Sequence, residues 1–281
     1  MPTENDKPPG TNGDGGDMGK VYFLPNLMTA GNLLCGFFAL LYIFKYEKLE
    51  DFQYIKSAIW LILGAFAFDF LDGRVARMGG KESAFGREFD SLADVVSFGV
   101  APAFLVYRIV LMEFPKTGWM VAAVFLACGA LRLARFNVLS MRTDSTKEFT
   151  GLPIPSAAAV VVSMTMFIMW LEEKDIVIPK GTPEHPLGKW RFALPILMLL
   201  LSALMVSTVK YPTFKRVDWT TRKSLAALVS AIVVIFFGVQ WPQVTLAALF
   251  LCYLLYGLVR PWVSRAWRRE IEIDEESADE L

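Results

Sequence analysis

The chain has 281 residues, 54% of them hydrophobic, and its mean hydropathy of +0.43 is too high for a soluble domain of this length. Acidic and basic side chains balance at 28 each, so nothing suggests the basic surface of a nucleic-acid binder. The single histidine, His185, sits in a polar loop, and Cys35, Cys128 and Cys252 lie scattered in apolar runs; this excludes a zinc site, a histidine-based triad and a disulfide framework.

Residues 1–20 are rich in Gly, Pro, Asn and Asp, read as a disordered tail, and do not look like a secretory signal. A first apolar span is predicted over 27–44, just after Pro25. Asn26, Thr29 and Asn32 recur every three residues and form a polar stripe at its start. That stripe is either helix capping with interhelical hydrogen bonding or one wall of a ligand pocket. The second span is predicted over 52–78, the third over 85–112 and the fourth over 118–139. The run Gly151-Leu-Pro-Ile-Pro-Ser156 then denies a regular helix until Ser156, the expected N-cap of a fifth span over 157–171. A polar loop at 172–191 leads to a sixth span over 192–209, a seventh over 224–239 and an eighth over 244–259, the last two joined by a tight turn at Gln240-Trp-Pro-Gln243. The tail is basic through Arg260, Arg265, Arg268 and Arg269, then acidic. Lys and Arg concentrate in the loops after spans two, four and six and in the tail, which puts both termini in the cytoplasm.

Four carboxylates stand where an apolar chain tolerates them least. Asp69 and Asp72 close the second span; Asp90 and Asp94 open the third. Residues three or four apart share a helix face, so each pair presents two carboxylates on one side, and the short hairpin 78–85 lets the two sides meet. Four carboxylates so close cannot all stay ionised without cations between them. Hard divalent ions with oxygen ligands are the natural answer, and magnesium or manganese suits phosphate chemistry. Ser97 continues the Asp90 and Asp94 face at helical spacing. Arg132 and Arg135, one turn apart inside an apolar run, read either as headgroup anchors or as anion ligands; an arginine within a span needs a partner, which favours the second.

The residues Asp69, Asp72, Gly73, Ala76, Arg77, Gly86, Asp90 and Asp94 fill all eight fixed places of Asp-x2-Asp-Gly-x2-Ala-Arg-x8-Gly-x3-Asp-x3-Asp. This resembles the motif of the CDP-alcohol phosphotransferases. The stretches Phe23-Leu-Pro-Asn26, Asp90-Ser-Leu-Ala-Asp94-Val-Val-Ser97-Phe-Gly99-Val-Ala-Pro102, Arg132-Leu-Ala-Arg135-Phe-Asn137 and Gly151-Leu-Pro-Ile-Pro-Ser156 are most similar to the branch that transfers a phosphatidyl group from CDP-diacylglycerol to serine. The resemblance implies an all-α polytopic membrane bundle: a six-helix core over 21–210, two added helices within 211–264 and a charged cytoplasmic tail at 265–281.

It further implies that Asp69, Asp72 and Asp90 bind two divalent ions, magnesium or manganese, with Asp94 near the second and also the general base. Asn26, Thr29, Gly73, Ala76, Arg77 and Gly86 are the expected contacts for CDP-diacylglycerol. Arg132, Arg135, Ser97 and Asn137 are those for L-serine. The setting is a bacterial-type cytoplasmic membrane with the site facing the cytoplasm, and a homodimer is expected. Another acceptor, such as glycerol phosphate, inositol phosphate or choline, is the alternative within the family. A divalent-cation transporter is the alternative outside it, disfavoured because span three is apolar from Ser97 to Arg108. Every motif residue precedes Arg216, so the last two spans are assigned to packing, assembly or insertion.

Overall fold

A computed structural model describes residues 23–49, 51–78, 84–142, 151–174, 192–208 and 236–259. The N-terminal tail, the loop at 175–191, most of the seventh span, the charged C-terminal tail and most of the loop cations used for orientation lie outside the described residues. What is described is an all-α membrane bundle, in which six helices are long and apolar enough to cross a bilayer.

Helices α1 (Phe23–Leu49) and α2 (Phe52–Met78) form an antiparallel pair. Asp51 sets the start of α2: its carboxylate accepts a hydrogen bond from the Gln53 amide at 2.9 Å, an N-cap that fixes the boundary where the sequence predicts it. Tyr46 and Phe52 pack at one end of the pair, ring centroids 5.3 Å apart, and Thr29 meets Asp72 at the other. Leu34, Phe37, Phe38, Leu41 and Phe44 cover the outer face of α1 and stay exposed, the surface that acyl chains cover.

The third span is not one regular helix. Helix α3 (Ala84–Asp94) gives way to a π-helical turn, Val95–Val100, and then to α4 (Ala101–Ile109). Pro102 lies in the first turn of α4. It has no N–H for the carbonyl four residues back, and its ring crowds that carbonyl, so the preceding turn widens. The widened turn begins directly after Asp94. It is buried through Ser97, Phe98 and Gly99.

This span crosses α1 closely at one point. A Cβ on Gly36 would collide with the Ser97 hydroxyl and stand 2.8 Å from the Ser97 Cα. Only glycine permits that approach. Ser97 then donates to the Asn32 carbonyl at 2.9 Å, which fixes the register of the two helices.

Helix α5 (Gly118–Arg142) runs back along the third span, and Asn137 near its end donates to Ser91 on α3 at 2.9 Å. Helix α6 (Ile154–Glu173) corrects one expectation. It starts ahead of Ala157, with Pro153 as its N-cap residue and Pro155 in the first turn, where a missing N–H costs nothing. Ser156 is therefore inside the helix and is not its cap. The approach to α6 is set by Gly151, whose φ of 86° favours glycine and whose α-carbon lies against the Met205 carbonyl. The Leu152 amide donates to the Leu204 carbonyl at 3.1 Å, tying this loop to α7 (Ala193–Val206).

Helix α7 is shorter than the sixth span expected for 192–209. Its 14 residues fall below the roughly 20 that cross a hydrocarbon core. The last helix, α8 (Pro242–Val259), follows helical residues 236–240. Trp241 separates them, and the chain folds back there, since a Cβ on Gly238 would lie 3.9 Å from Thr245. Helix α8 packs on the core: Leu254 is buried, and the Phe250 ring meets Phe66 of α2 edge-on at 5.8 Å.

Candidate active site

The site forms where the C-terminal half of α2 and the start of the third span converge under the first turns of α1. Asp69, Asp72 and Asp90 each offer a carboxylate oxygen, and the three oxygens lie within 4.8 Å of one another. Helical spacing accounts for the first two, and the packing of α3 against α2 brings in the third. Asp69 and Asp90 are half-buried, and Asp72 is only 6% exposed. Three carboxylates at this separation, within an apolar bundle, repel strongly, and an all-oxygen donor set of this kind fits a hard divalent cation.

Two α1 side chains hold the acidic groups. Thr29 donates its hydroxyl to Asp72 Oδ2 at 3.1 Å, and it also lies 3.2 Å from the Pro25 carbonyl. Asn32, fully buried, donates its amide to Asp94 Oδ1 at 3.2 Å. The polar stripe is thus interhelical hydrogen bonding at two of its three members. At the third, Asn26, the buried amide nitrogen has no protein partner among the described residues.

Asp94 stands apart from the compact trio. It is 6% exposed, held by Asn32, and interacts electrostatically with Asp69, Asp90 and Asp72. The two arginines of α5 differ: Arg132 is half-buried, whereas Arg135 is exposed. The Arg132 Nε is buried and has no hydrogen-bond partner among the described residues.

The remaining expected contacts take varied places. Among the described residues, nothing beyond its own helix backbone and chain neighbours lies within 4 Å of where a Cβ on Gly73 would stand, next to Asp72. Gly86 lies in the first turn of α3. The side chains of Ala76 and Arg77 are outside the described residues. Ser97 and Asn137 bond to Asn32 and Ser91, so each braces the helices that carry the carboxylates.

Three contributors escape the motif. Asn32 was legible as a polar residue in an apolar span, but its bond to Asp94 spans 62 positions and has no local signal. Gly36 shows itself only at the helix crossing. Tyr253 of α8 packs, partly buried, against the core, and with Leu254 it seats the last helix on the bundle that carries the site. In sequence it looks like any tyrosine in a membrane helix.

A sequence profile for the CDP-alcohol phosphatidyltransferases matches residues 22–204. A CDP-diacylglycerol–serine O-phosphatidyltransferase of Helicobacter pylori is 37% identical over 245 residues, covering 86% of this chain and 92% of the relative. A protein of the same name from Bacillus subtilis is 34% identical over 194 residues, 69% of this chain and 92% of the relative. An archaetidylserine synthase of Methanothermobacter thermautotrophicus is 36% identical over 197 residues, 69% of this chain and 70% of the relative. The matched region contains the whole aspartate motif and the helices that assemble it, and the chain belongs to the CDP-alcohol phosphatidyltransferase family.

Proposed function

We propose that the protein is a phosphatidylserine synthase, transferring the phosphatidyl group of CDP-diacylglycerol to the hydroxyl of L-serine and releasing CMP. The observation that carries this reading is the meeting of Asp69, Asp72 and Asp90 oxygens within 4.8 Å, with buried Asp94, held by Asn32, one turn beyond Asp90 on the same helix. It puts a proton acceptor beside a place for a pyrophosphate. Relatives named for this reaction match most of the chain.

The acidic trio would hold two divalent ions, magnesium or manganese, with Asp94 near the second. Bound there, the ions supply charge neutralisation for the pyrophosphate and for the departing phosphate. The space beside Gly73, with Asn26 and Thr29 opposite and Ala76, Arg77 and Gly86 along the motif, receives the cytidine diphosphate portion. Thr29 keeps Asp72 oriented by donating to one of its oxygens.

Asn32 occupies Oδ1 of Asp94, which leaves the other oxygen to take the proton of the serine hydroxyl. The hydroxyl oxygen then forms its bond to the phosphorus that bears the lipid. The bond from that phosphorus to the CMP oxygen breaks, and CMP leaves with the electron pair. Arg132 offers paired N–H donors to the serine carboxylate, a fork that lysine lacks. Asn137 and Ser97 brace this pocket, and Arg135 serves the headgroup region from its exposed position.

The core over 21–210 carries the chemistry in the cytoplasmic membrane, with the site and both termini on the cytoplasmic side and two copies forming the working unit. Purified protein in mixed micelles tests the reading: CMP release from CDP-diacylglycerol with manganese, scored against serine, glycerol phosphate, inositol and no acceptor. Serine-dependent release supports it. Release that follows glycerol phosphate or inositol instead identifies another acceptor and overturns the serine assignment.

A further inference from the structure

We propose that Pro102 is a positioning residue for the two carboxylates of α3: by keeping the π turn open directly after Asp94, it sets the rotation of α3 and so the direction of Asp90 and Asp94. The proposal rests on the reading of Asp94 as the base and of Asp90 as a metal ligand.

The turn carries a surplus residue. The Ala101 amide reaches back five places to the Val96 carbonyl, where a regular helix reaches back four. Pro102, next in line, has no N–H to restore the four-residue pattern, and its ring crowds the Phe98 carbonyl. Val95–Val100 is therefore wound more loosely than the helices on either side.

The part of the span beyond the turn is locked. Phe98, Ala101, Leu105 and Val106 are fully buried, and the Phe98 ring meets Phe66 edge-on at 6.0 Å, one turn before Asp69 on α2. Ser97 is fixed as well, because it stands against Gly36 and donates to the Asn32 carbonyl at 2.9 Å. The part before the turn has less to hold it. Among the described residues of α3, only Ala93 and Asp94 are buried. If the turn closed to a regular helix, it is α3 that would move. Losing one residue from the count turns it by about 100° and shifts it by about 1.5 Å against the rest of the span. Asp94 would then leave the Asn32 amide, and Asp90 would leave Asp69 and Asp72, whose oxygens it now meets within 4.8 Å. A proline eight residues after the last aspartate thus decides where both carboxylates point.

The test is Pro102→Ala in the full chain, alone and combined with deletion of Val96, beside Asp94→Asn. Alanine gives back the N–H and lets the turn close. Val96 is only half-buried, and deleting it takes out the surplus residue, so a closed turn then carries α3 at its original rotation. CMP release gives kcat, calorimetry gives the Kd for CMP in the presence of manganese, and thermal unfolding in the same detergent gives Tm. Pro102→Ala should lower kcat about tenfold or more, since a misplacement of about 1 Å can cost about 100-fold. It should also weaken the manganese-dependent binding of CMP, while Tm stays within about 3 °C of the parent. Deleting Val96 as well should restore both kcat and Kd. An unchanged kcat, a kcat that falls only as Tm falls, or a loss that the deletion does not repair overturns the proposal and leaves Pro102 as a packing residue. Asp94→Asn separates this from the reading beneath it. If that variant is inactive while Pro102→Ala matches the parent, the positioning role alone fails. If it keeps its activity, Asp94 is not the base and both readings fail.

Discussion

Replacing Asn32 by leucine separates catalysis from folding at a single buried position. Asn32 is fully buried, and its amide donates to Asp94 Oδ1 at 3.2 Å. Its own Oδ1 has no hydrogen-bond partner among the described residues, so the residue already bears part of the cost of a buried polar group. Leucine has nearly the same shape and removes that orphan acceptor. The Ser97 bond survives because it uses the Asn32 main-chain carbonyl. Stability should therefore hold or rise slightly. Catalysis should not hold, because a hydrogen bond to a charged group is worth about 1.5–3 kcal/mol. Were that whole amount lost from the transition state, kcat would fall roughly 10- to 160-fold. The assay is CMP release at saturating CDP-diacylglycerol and serine, beside thermal unfolding in the same detergent. A kcat within about twofold of the parent would refute the orienting role of Asn32. A fall in kcat that tracks a large loss of thermal stability would show that Asn32 holds the helices together and not Asp94.

Asp69→Asn, Asp72→Asn and Asp90→Asn should each abolish turnover, and chelation should silence the parent protein until magnesium or manganese is restored; CMP release checks both. Arg132→Lys should raise the serine KM about tenfold or more, whereas Arg135→Lys, at an exposed position, should change it less than about twofold, as read by varying serine at fixed CDP-diacylglycerol. Gly36→Ala should lower stability by about 1–3 kcal/mol, because its Cβ meets Ser97, and thermal unfolding reads the loss. Gly73→Ala meets no side chain of another helix within 4 Å among the described residues, so its stability should match the parent while the KM for CDP-diacylglycerol rises.

The sequence made the helices legible because helix formation leaves local marks. The boundaries of α2 follow from an apolar run that opens beside a capping Asp51 and closes beyond the aspartates. The pairing of Asp69 with Asp72 follows from the helical repeat, and their meeting with Asp90 follows from the short hairpin. Where the reading departed from the structure, prolines were the usual cause. Pro153 and Pro155 suggested a break, yet a proline in the first turn of a helix sacrifices no hydrogen bond, so α6 starts at Ile154. Pro102 suggested nothing, yet it sits inside a continuous apolar run and accounts for the π turn before it.

The division of labour among the four aspartates was less legible, and the reason is geometric. A spacing of four residues puts Asp90 and Asp94 on one face, which is correct, but a face has length as well as direction. One helical turn separates the two by about 6 Å along the axis, more than the 4.8 Å that contains the trio. Asp90 falls at the level of Asp69 and Asp72, while Asp94 falls a turn deeper, at the level of Asn32. That level is set by the crossing of Gly36 with Ser97, a contact between residues 61 positions apart for which no local pattern exists. The same crossing holds Asp94, the proposed base, one turn from the acidic cluster, where a neutral amide orients it.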